Sequence, residues 1–323
     1  MLLIIAEVSP KNGVFSLKKA FQLAAIICNK KNIAFVVEED KDAVASFAGK
    51  GFKYYINPER RKLFKEKISA ILFFKDKLSS KDKKTLSLAG KKNIPAIKFS
   101  YMGENPVECN AIIDPSPASY ITSDGDKKIL SGPEYAVLHN KYIHFHDLNR
   151  KYNKTLRNIL LSVGDEFPYR ELKKLTETLL NHGFKVKIIP GKNFKRFNRK
   201  TLKRIYPEIQ ISGTPESYAR SYFESDLAII DPEHSAIRAS AVGTPAIYLP
   251  QNTTGNTTAT YFEEKGAGVI FRRWKKEDYS EMIELLKFFS LDKRSEIGIT
   301  AKTLVDGKGV YRIAEVIKSL LNS

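Results

Sequence analysis

The chain has 323 residues, of which 42% are hydrophobic and 28% are charged. This composition excludes disordered, collagen-like and coiled-coil proteins, and the length suits one large globular domain or two ordinary ones. There are 54 Lys and Arg residues against 36 Asp and Glu, a net charge of +18, which raises the question of a nucleic acid or anionic membrane partner.

The excess charge is divided between the two halves of the chain. Residues 1–147 carry 24 basic and 16 acidic side chains, a net charge of +8, and residues 148–323 have a net charge of +10. Because lysine predominates over arginine, this distribution favours a generally basic surface without a dedicated polyanion partner. One dense packet, residues 191–204, holds seven basic and no acidic residues. It suits nucleic acid, a membrane surface, a diphosphate or simple solvation.

The first half alternates short apolar runs with helical patterns. A helix is predicted over residues 17–29, where apolar side chains recur on one face. Strands separated by helical crossovers predict a parallel sheet with helices on both faces. The predicted buried strands are 2–8, 33–39, 70–74, 96–101 and 111–114.

The same alternation restarts after a polar, basic stretch. We predict two Rossmann-like doubly wound domains, 1–147 and 158–323, joined by a linker at 148–157. The terminal helix, predicted over 313–321, is a candidate for packing back on the N-terminal domain. Ligands of such α/β sheets bind beyond the carboxyl ends of the strands, so we expect two sets of strand ends facing across a cleft. The remaining predicted strands are 158–163, 185–190, 226–231, 246–250 and 268–271, with helices at 171–182 and 235–242.

Cysteine and histidine usage argues against a disulfide framework or a metal site. Cys28 and Cys109 are two isolated cysteines in apolar settings, which predicts buried free thiols in a reducing compartment. Five histidines form no ligand spacing, so neither a metal nor a cofactor is expected. The apolar run at 2–6 is too short for a signal peptide, and no run approaches the ~18 residues of a membrane span. A cytoplasmic location is expected.

Three loops between a predicted strand and a helix hold candidate site residues. The first contains Gly13 and Ser16, where Ser16 is a predicted N-cap and the helix N-terminus favours an anion. The second follows strand 158–163 and contains Gly164 and Asp165. The third opens the helix that begins near residue 235, where position alone makes His234 a candidate acid–base group. An ordinary capped turn remains the alternative for each loop.

Two segments carry a resemblance to a known family. Residues 130–138 read LSGPEYAVL, and residues 305–313 read VDGKGVYRI. They resemble the GPxYAxLR and DGxGxxRI segments of the spore-coat polysaccharide biosynthesis proteins and of the related hydrolase that removes UDP from the pseudaminic acid precursor. Residues 239–250, 258–260 and 265–266 also resemble the second domain of these proteins, which is similar to the lipid II–forming N-acetylglucosaminyltransferase. The resemblance implies the glycosyltransferase-B fold and a nucleotide-sugar ligand.

Several positions that the resemblance marks as functional are substituted here. The family's catalytic histidine corresponds to Ser16, and its arginine to Lys19. The second glycine of its phosphate loop corresponds to Asp165, and the acidic residue that holds the ribose to Arg238. Serine cannot replace imidazole as a base near pH 7 without an activating partner. Arginine accepts no hydrogen bond from ribose, although it pairs well with phosphate or carboxylate. The site is therefore remodelled or lost.

These observations lead to three alternatives. The first is nucleotide-sugar-dependent glycosyl transfer to an acceptor or to water in surface-glycan synthesis, with a UDP- or CDP-linked sugar as ligand. The second is a catalytically degenerate relative that binds a glycan precursor or a partner enzyme. The third is a polyanion-binding protein that uses residues 191–204. An anionic membrane surface is a candidate partner, and nucleic acid is disfavoured.

The candidate catalytic residues are Ser16 and His234. The residues predicted for the sugar or acceptor side are Gly13, Ser16, Lys19, Tyr135 and His139. Those predicted for the nucleotide side are Gly164, Asp165, Lys192, Ser235, Arg238, Thr257 and Thr258.

Overall fold

The computed structural model describes residues 1–6, 15–27, 30–37, 41–75, 77–99, 108–117, 128–164, 166–191, 194, 196–272 and 279–322. Two compact units are present. Unit 1 comprises Met1–Leu138 together with Lys308–Ser323, and unit 2 comprises His139–Gly307. The contact units thus divide between residues 138 and 139, and the C-terminal segment belongs to unit 1.

The elements alternate strand and helix along most of the chain. The strands are β1 (Leu2–Ala6), β2 (Ile33–Val37), β3 (Lys53–Ile56), β4 (Ala70–Phe74), β5 (Ala96–Phe99), β6 (Ala111–Asp114), β7 (Lys128–Ser131), β8 (Asn158–Ser162), β9 (Lys185–Ile188), β10 (Gln210–Ile211), β11 (Leu227–Ile230), β12 (Ala246–Tyr248) and β13 (Val269–Ile270). The α-helices are α1 (Phe15–Ile27), α2 (Lys41–Ser46), α3 (Arg60–Leu63), α4 (Ser80–Lys91), α5 (Asn140–Asp147), α6 (Tyr169–Asn181), α7 (Arg196–Ile205), α8 (Pro215–Glu224), α9 (Pro232–Ala241), α10 (Thr253–Glu264), α11 (Ser280–Lys287), α12 (Leu291–Leu304) and α13 (Gly309–Asn322).

Unit 1 is built on a seven-stranded parallel sheet in the order β3-β2-β1-β4-β5-β6-β7. Its central strand β1 is buried along its whole length because helices cover both faces of the sheet. Helices α1 and α13 pack against each other over one face, where Leu17 and Ile313 share a core with Leu2. Helices α3 and α4 cover the opposite face, where Leu63 and Leu86 share a second core.

Unit 2 is built on a six-stranded parallel sheet in the order β10-β9-β8-β11-β12-β13. Ile159, Leu161 and Ile229 from its central strands are fully buried in the main core. The chain leaves β8 toward one edge of the sheet and returns through β11 toward the other. This reversal places a topological switch point between β8 and β11, where ligands of such sheets bind.

The α/β fold class with two parallel sheets is confirmed. All ten predicted strands occur, β4 and β6 with the predicted bounds and the other eight with shorter ones. Strands β3 and β7 were not predicted. They lie at the two edges of the first sheet and are largely exposed or half-buried, and their apolar runs are only two or three residues long. Strand β10 spans only two residues at the edge of the second sheet. No helix in the described part of the chain is long and apolar enough to cross a membrane.

The stretch predicted as a linker, 148–157, contains no helix or strand but is anchored to unit 2. The buried Arg150 guanidinium donates to the carbonyl oxygen of Phe223 at 2.8 Å, to that of Ser225, and to the hydroxyl of Thr244 at 3.1 Å. The guanidinium of Arg294 donates to the carbonyl oxygen of Asn153 at 2.7 Å. The bonds from Arg150 satisfy carbonyl groups that the C-terminal end of α8 leaves open. The polar sequence of this stretch therefore reflects hydrogen bonding to unit 2.

The two segments that carry the family resemblance contact each other in unit 1. The guanidinium of Arg312 donates to the carbonyl oxygen of Glu134 at 3.0 Å. A Cβ atom at Gly309, the first residue of α13, would lie 2.7 Å from the nitrogen of Ala136. Both segments thus hold α13 against the end of the first sheet, and Tyr135 packs partly buried against the core of unit 1.

Candidate functional site

The candidate site of unit 2 lies where β8 and β11 end. Ser162 closes β8, and its carbonyl oxygen accepts a hydrogen bond from the backbone nitrogen of Asp231, the residue that follows β11, at 3.0 Å. Gly164 lies two residues beyond Ser162 with a φ of +75°, a conformation that glycine adopts without strain. A Cβ atom at this position would lie 2.8 Å from the Asp231 carboxylate. Glycine is therefore required here by both backbone conformation and close approach.

Helix α9 begins at this edge and brings the predicted site residue Ser235 to it. Asp231 caps the helix by accepting from the backbone nitrogen of Glu233 at 3.5 Å, and Pro232 occupies the first helical turn. Ser235 is 7% exposed, and its Oγ lies 3.4 Å from Oγ of Ser162. The free backbone N–H groups and dipole of a helix N-terminus favour negative charge. Hydroxyl donors and a helix N-terminus thus converge on the end of β8.

Tyr222 of α8 adds a third hydroxyl group to this cluster. The residue is fully buried, and burial raises the pKa of its hydroxyl, with Ser162 and Ser235 as polar neighbours. That hydroxyl completes no hydrogen bond in the described part of the chain. A buried hydroxyl without a partner is costly, so a ligand or water that accepts a hydrogen bond from it would be bound favourably.

Arg238 supplies positive charge one turn along α9 from Ser235. The residue is half-buried, and its charge acts on the hydroxyl groups of Tyr142 and Tyr222 and on the carboxyl group of Asp231. Its guanidinium forms no hydrogen bond or ion pair with another described residue. A guanidinium in this position can bind a phosphate or carboxylate group through two parallel hydrogen bonds.

Asp231 has a strongly altered acidity. Burial, with the neighbouring charges of Glu233 and Glu166, raises the pKa of the Asp231 carboxyl to about 7, although the charge of Arg238 acts in the opposite direction. Near neutral pH this carboxyl is therefore protonated in part of the molecules. The protonated form can donate a hydrogen bond to an anion, whereas the ionised form repels it.

The start of α10 completes the edge of the site. Asn252 caps this helix by accepting from the backbone nitrogen of Gly255 at 2.7 Å. Its amide nitrogen donates to the carboxylates of Glu166 at 3.1 Å and Glu233 at 3.3 Å. The side-chain nitrogen of Gln251 donates to the carbonyl oxygen of Val163. Among the described residues, no group of three or more His, Cys, Asp or Glu side chains could hold a metal ion.

The structure brings together three of the residues predicted for the nucleotide side, namely Gly164, Ser235 and Arg238. Thr257 and Thr258 lie further along α10. The hydroxyl of Thr257 donates to the carbonyl oxygen of Thr253 at 3.0 Å, while Thr258 is buried with an unpartnered hydroxyl in the described part of the chain. Asp165 and Lys192 lie outside the described residues.

The two predicted catalytic candidates lie in different settings. His234 is exposed on α9, with 59% of its side chain accessible, and its Nε2 lies 3.9 Å from the carboxylate of Glu233. Helix α1 begins at Phe15, so Ser16 lies inside its first turn and the prediction of Ser16 as the N-cap is wrong. Ser16 is half-buried, and Lys19 is exposed on the same helix. Gly13 lies outside the described residues.

His139 has a local structural role. It is the N-cap of α5, and its Nδ1 accepts from the backbone nitrogen of Lys141 at 3.3 Å. It belongs to unit 2, whereas Tyr135, predicted for the same sugar or acceptor side, belongs to unit 1.

Two further predictions concern charge and thiols. Within the basic packet 191–204, Lys203 donates to the carbonyl oxygens of Pro207, at 2.8 Å, and Ile209 just beyond α7. This lysine therefore stabilises its own loop. Cys109 is buried, as predicted, and Cys28 lies outside the described residues.

Several polar residues of the site are not among the residues predicted from the sequence. Asp231, Glu166 and Glu233 stand in the predicted strand-to-helix loops, so their position beyond a buried strand was the available signal. Nothing in the sequence pointed to Tyr222 or Gln251. The first lies within α8, and the second reaches a carbonyl group 88 residues away.

Comparisons with known proteins find two distant sequence relatives and many solved structures that share the fold. No family model matches the chain. It is 23% identical to the uncharacterized protein MJ1062 of Methanocaldococcus jannaschii over 99% of its own length and 66% of that protein. It is 24% identical to the spore coat polysaccharide biosynthesis protein SpsG of Bacillus subtilis over 62% of its own length and 61% of that protein. The chain thus spans slightly less than two thirds of these relatives.

Solved structures share the fold over nearly the full chain. MurG of Acinetobacter baumannii superposes with a TM-score of 0.69 at 14% identity, with 98% of this chain and 99% of MurG covered. UGT2 of Phytolacca americana, complexed with UDP-2-fluoro-glucose and pterostilbene, superposes with a TM-score of 0.68 at 10% identity and 98% coverage of both chains. The spinosyn rhamnosyltransferase SpnG, complexed with thymidine diphosphate, superposes with a TM-score of 0.61 at 14% identity and 99% coverage of both chains. The chain therefore has the α/β fold of the glycosyltransferase-B enzymes.

Proposed function

We propose that this chain binds a nucleotide-sugar and transfers its glycosyl group, to an acceptor or to water, in glycan biosynthesis. The observation that carries the proposal is the convergence of Ser162, Ser235 and the N-terminus of α9 at the switch point of the second sheet, where the charge of Arg238 acts on the carboxyl group of Asp231. The fold shared with glycosyltransferases, and the similarity to a polysaccharide biosynthesis protein, support the substrate class.

The proposed leaving group is the nucleoside diphosphate. Cleavage of the bond between the anomeric carbon and the diphosphate oxygen leaves negative charge on that oxygen. Arg238, the hydroxyl groups of Ser162, Ser235 and Tyr222, and the α9 dipole would stabilise this charge without a metal ion. The oxygen of the acceptor hydroxyl or of water forms the new bond to the anomeric carbon, and the proton of that hydroxyl or water is released.

Asp231 would act in this site through its proton. When protonated, it would donate a hydrogen bond to the phosphate and leave the charge of Arg238 available to the ligand. When ionised, it would repel the phosphate at short range, because it lies within hydrogen-bonding reach of the same helix N-terminus. We therefore expect diphosphate binding to be accompanied by proton uptake.

Calorimetric titration with UDP, CDP and TDP tests the binding step. We expect saturable binding of at least one of them, and no binding at millimolar concentration would refute the proposal. Incubation with the corresponding nucleotide-sugars, with and without acceptor, separates transfer to water from transfer to another molecule by the release of free sugar.

A degenerate relative that binds without turnover is the second candidate. It is favoured by the Asp231 carboxylate, which approaches the place where a Cβ of Gly164 would lie and so occupies room beside the loop. It is also favoured by the substitution of serine at position 16, where the resemblance implies a histidine. Nucleotide binding with neither sugar release nor transfer would select this candidate.

A further inference from the structure

The net charge of the first half of the chain is concentrated in one short segment. Residues 59–92 carry 12 basic and four acidic side chains, a net charge of +8. This equals the net charge of residues 1–147 as a whole, so the rest of that half is electrically balanced. The charge of this half is therefore a local feature, in contrast to the diffuse distribution predicted from the sequence.

The fold places this segment on one side of unit 1. Leu63 of α3 and Leu86 and Ala89 of α4 share a buried core with Leu3 and Ile71 of the sheet. Both helices thus cover the same face of the sheet and turn their polar sides outward. Together with the C-cap residue of α4, they expose seven of the 12 basic residues of the segment.

Helix α4 has its acidic residue removed from the surface. Asp82 is fully buried, accepts from Nζ of Lys75 at 2.7 Å, and forms a capping box with Ser79. Arg60 of α3 lies 3.5 Å from the same carboxylate. This carboxylate is therefore neutralised inside the protein and offsets none of the charge that α4 presents outward.

We define the lysine face as the five exposed lysines of α4 and its C-cap. None of their side-chain ammonium groups forms a hydrogen bond or ion pair with another described residue. Other exposed lysines behave differently: Lys287, Lys293 and Lys318 each pair with a glutamate three residues away. The lysine face comprises Lys81, Lys83, Lys84, Lys91 and Lys92.

We propose that the lysine face docks the protein on an anionic lipid membrane. Clusters of four to eight basic residues on a helix are typical of binding to anionic lipid headgroups. Residues 80–92 contain no aromatic side chain that could stack on a nucleic-acid base, and no arginine to read guanine. The half-buried Leu88 lies one turn from Lys84 and Lys92 and adds an apolar contact. Attachment of this kind is peripheral, reversible and weakened by salt.

Vesicle co-sedimentation of the full chain tests the proposal. The vesicles are phosphatidylcholine with and without phosphatidylglycerol, and the variant carries glutamine at all five positions of the lysine face. We expect wild-type binding only with phosphatidylglycerol and a decrease as salt rises. Each engaged lysine contributes about 1 kcal/mol, or roughly fivefold. Engagement of only two would lower the partition coefficient of the variant at least ~25-fold.

A matched variant separates the lysine face from overall charge. It carries glutamine at five other exposed lysines, so both variants have the same net charge: Lys50, Lys141, Lys151, Lys200 and Lys265. Unfolding midpoints verify that both variants fold. We expect the matched variant to retain binding within about threefold of wild type. Equal loss in both variants, or equal wild-type binding to vesicles of either composition, would overturn the proposal.

A duplex DNA titration under the same conditions addresses the other polyanion. If the lysine-face variant loses affinity for the duplex while wild-type protein binds no anionic vesicle, the face belongs to a nucleic-acid interface and the proposal is wrong. If the variant fails to fold, the double variant Lys91→Gln/Lys92→Gln at the end of α4 takes its place. Loss of vesicle binding in that variant supports the proposal, and unchanged binding contradicts it.

Discussion

The replacement Asp231→Asn isolates the cost of a buried carboxylate in the candidate site. Asparagine retains the side-chain oxygen that caps α9, so the change removes charge and keeps the cap. The pKa of Asp231 is about 7 in the folded chain against an ordinary value of 3.8, because burial and the charges of Glu233 and Glu166 oppose ionisation. Since each pKa unit is worth about 1.4 kcal/mol, the ionised carboxylate destabilises the fold by up to about 4 kcal/mol.

The raised pKa of Asp231 determines how the stability of the fold changes with pH. Between pH 3.8 and about 7 the folded chain holds a proton on Asp231 that the unfolded chain has lost, so stability falls as pH rises through this window. Urea denaturation should therefore show the variant more stable than wild type by about 4 kcal/mol at pH 8 and by roughly 1.6 kcal/mol at pH 5. The matched control is Asp292→Asn at an exposed position in the first turn of α12, for which we expect a change below ~1 kcal/mol.

Two outcomes would refute this reasoning. An Asp231→Asn variant less stable than wild type at pH 8 would mean that the carboxylate is held by a stronger interaction than its described partners provide. An advantage that stays constant between pH 5 and pH 8 would mean that Asp231 does not titrate in this range.

Three further outcomes are expected. Arg150→Ala leaves the carbonyl oxygens of Phe223 and Ser225 without their donor, so the free energy of unfolding in urea should fall by about 3 kcal/mol or more, with Arg150→Lys recovering part of the loss. Gly298→Ala brings a Cβ against the Tyr152 hydroxyl and the carbonyl of residue 243, and should cost about 2 kcal/mol or more. Gly90→Ala, in a helix with open space, should instead stabilise by ~0.5–1 kcal/mol in the same assay. In calorimetric titrations, UDP affinity of the wild type should fall more steeply between about pH 6 and pH 8 than that of Asp231→Asn, because only the wild type ionises beside the ligand; equal slopes would place the diphosphate elsewhere.

The strands that are buried on both faces could be predicted, because burial requires a run of apolar residues in the sequence. The strands β1 and β4 lie between two layers of helices, so their apolar runs identified them. The edge strands β3 and β7 are exposed or half-buried, and their sequences, KYYI and KILS, hold only two or three consecutive apolar residues. The stretch at 148–157 looked like a linker because its polar groups bond to carbonyl groups far along the chain. Such partners are invisible to a local pattern.

The candidate site divides in the same way. Gly164 and Ser235 could be predicted because both follow a buried strand and such positions gather at one edge of a parallel sheet. The acidity of Asp231 could not, since it depends on how the loop at 164 approaches a helix 67 residues later in the chain. A carboxylate at a helix N-terminus is ordinarily a favourable cap. Burial beside two glutamates makes this one a group that titrates near neutrality.

The most direct test of the proposed function is a calorimetric titration of UDP and TDP into wild type, Arg238→Gln and Asp231→Asn at pH 8. Arg238 lies in the last turn of α9, its charge acts on the carboxyl group of Asp231 at the start of that helix, and a charge-assisted bond to phosphate is worth about 1.5–3 kcal/mol. We predict binding to wild type, a loss of at least ~10-fold in Arg238→Gln, and a gain in Asp231→Asn. The absence of binding at millimolar nucleotide, or equal affinity in all three proteins, would contradict a diphosphate site at the end of β8 and β11.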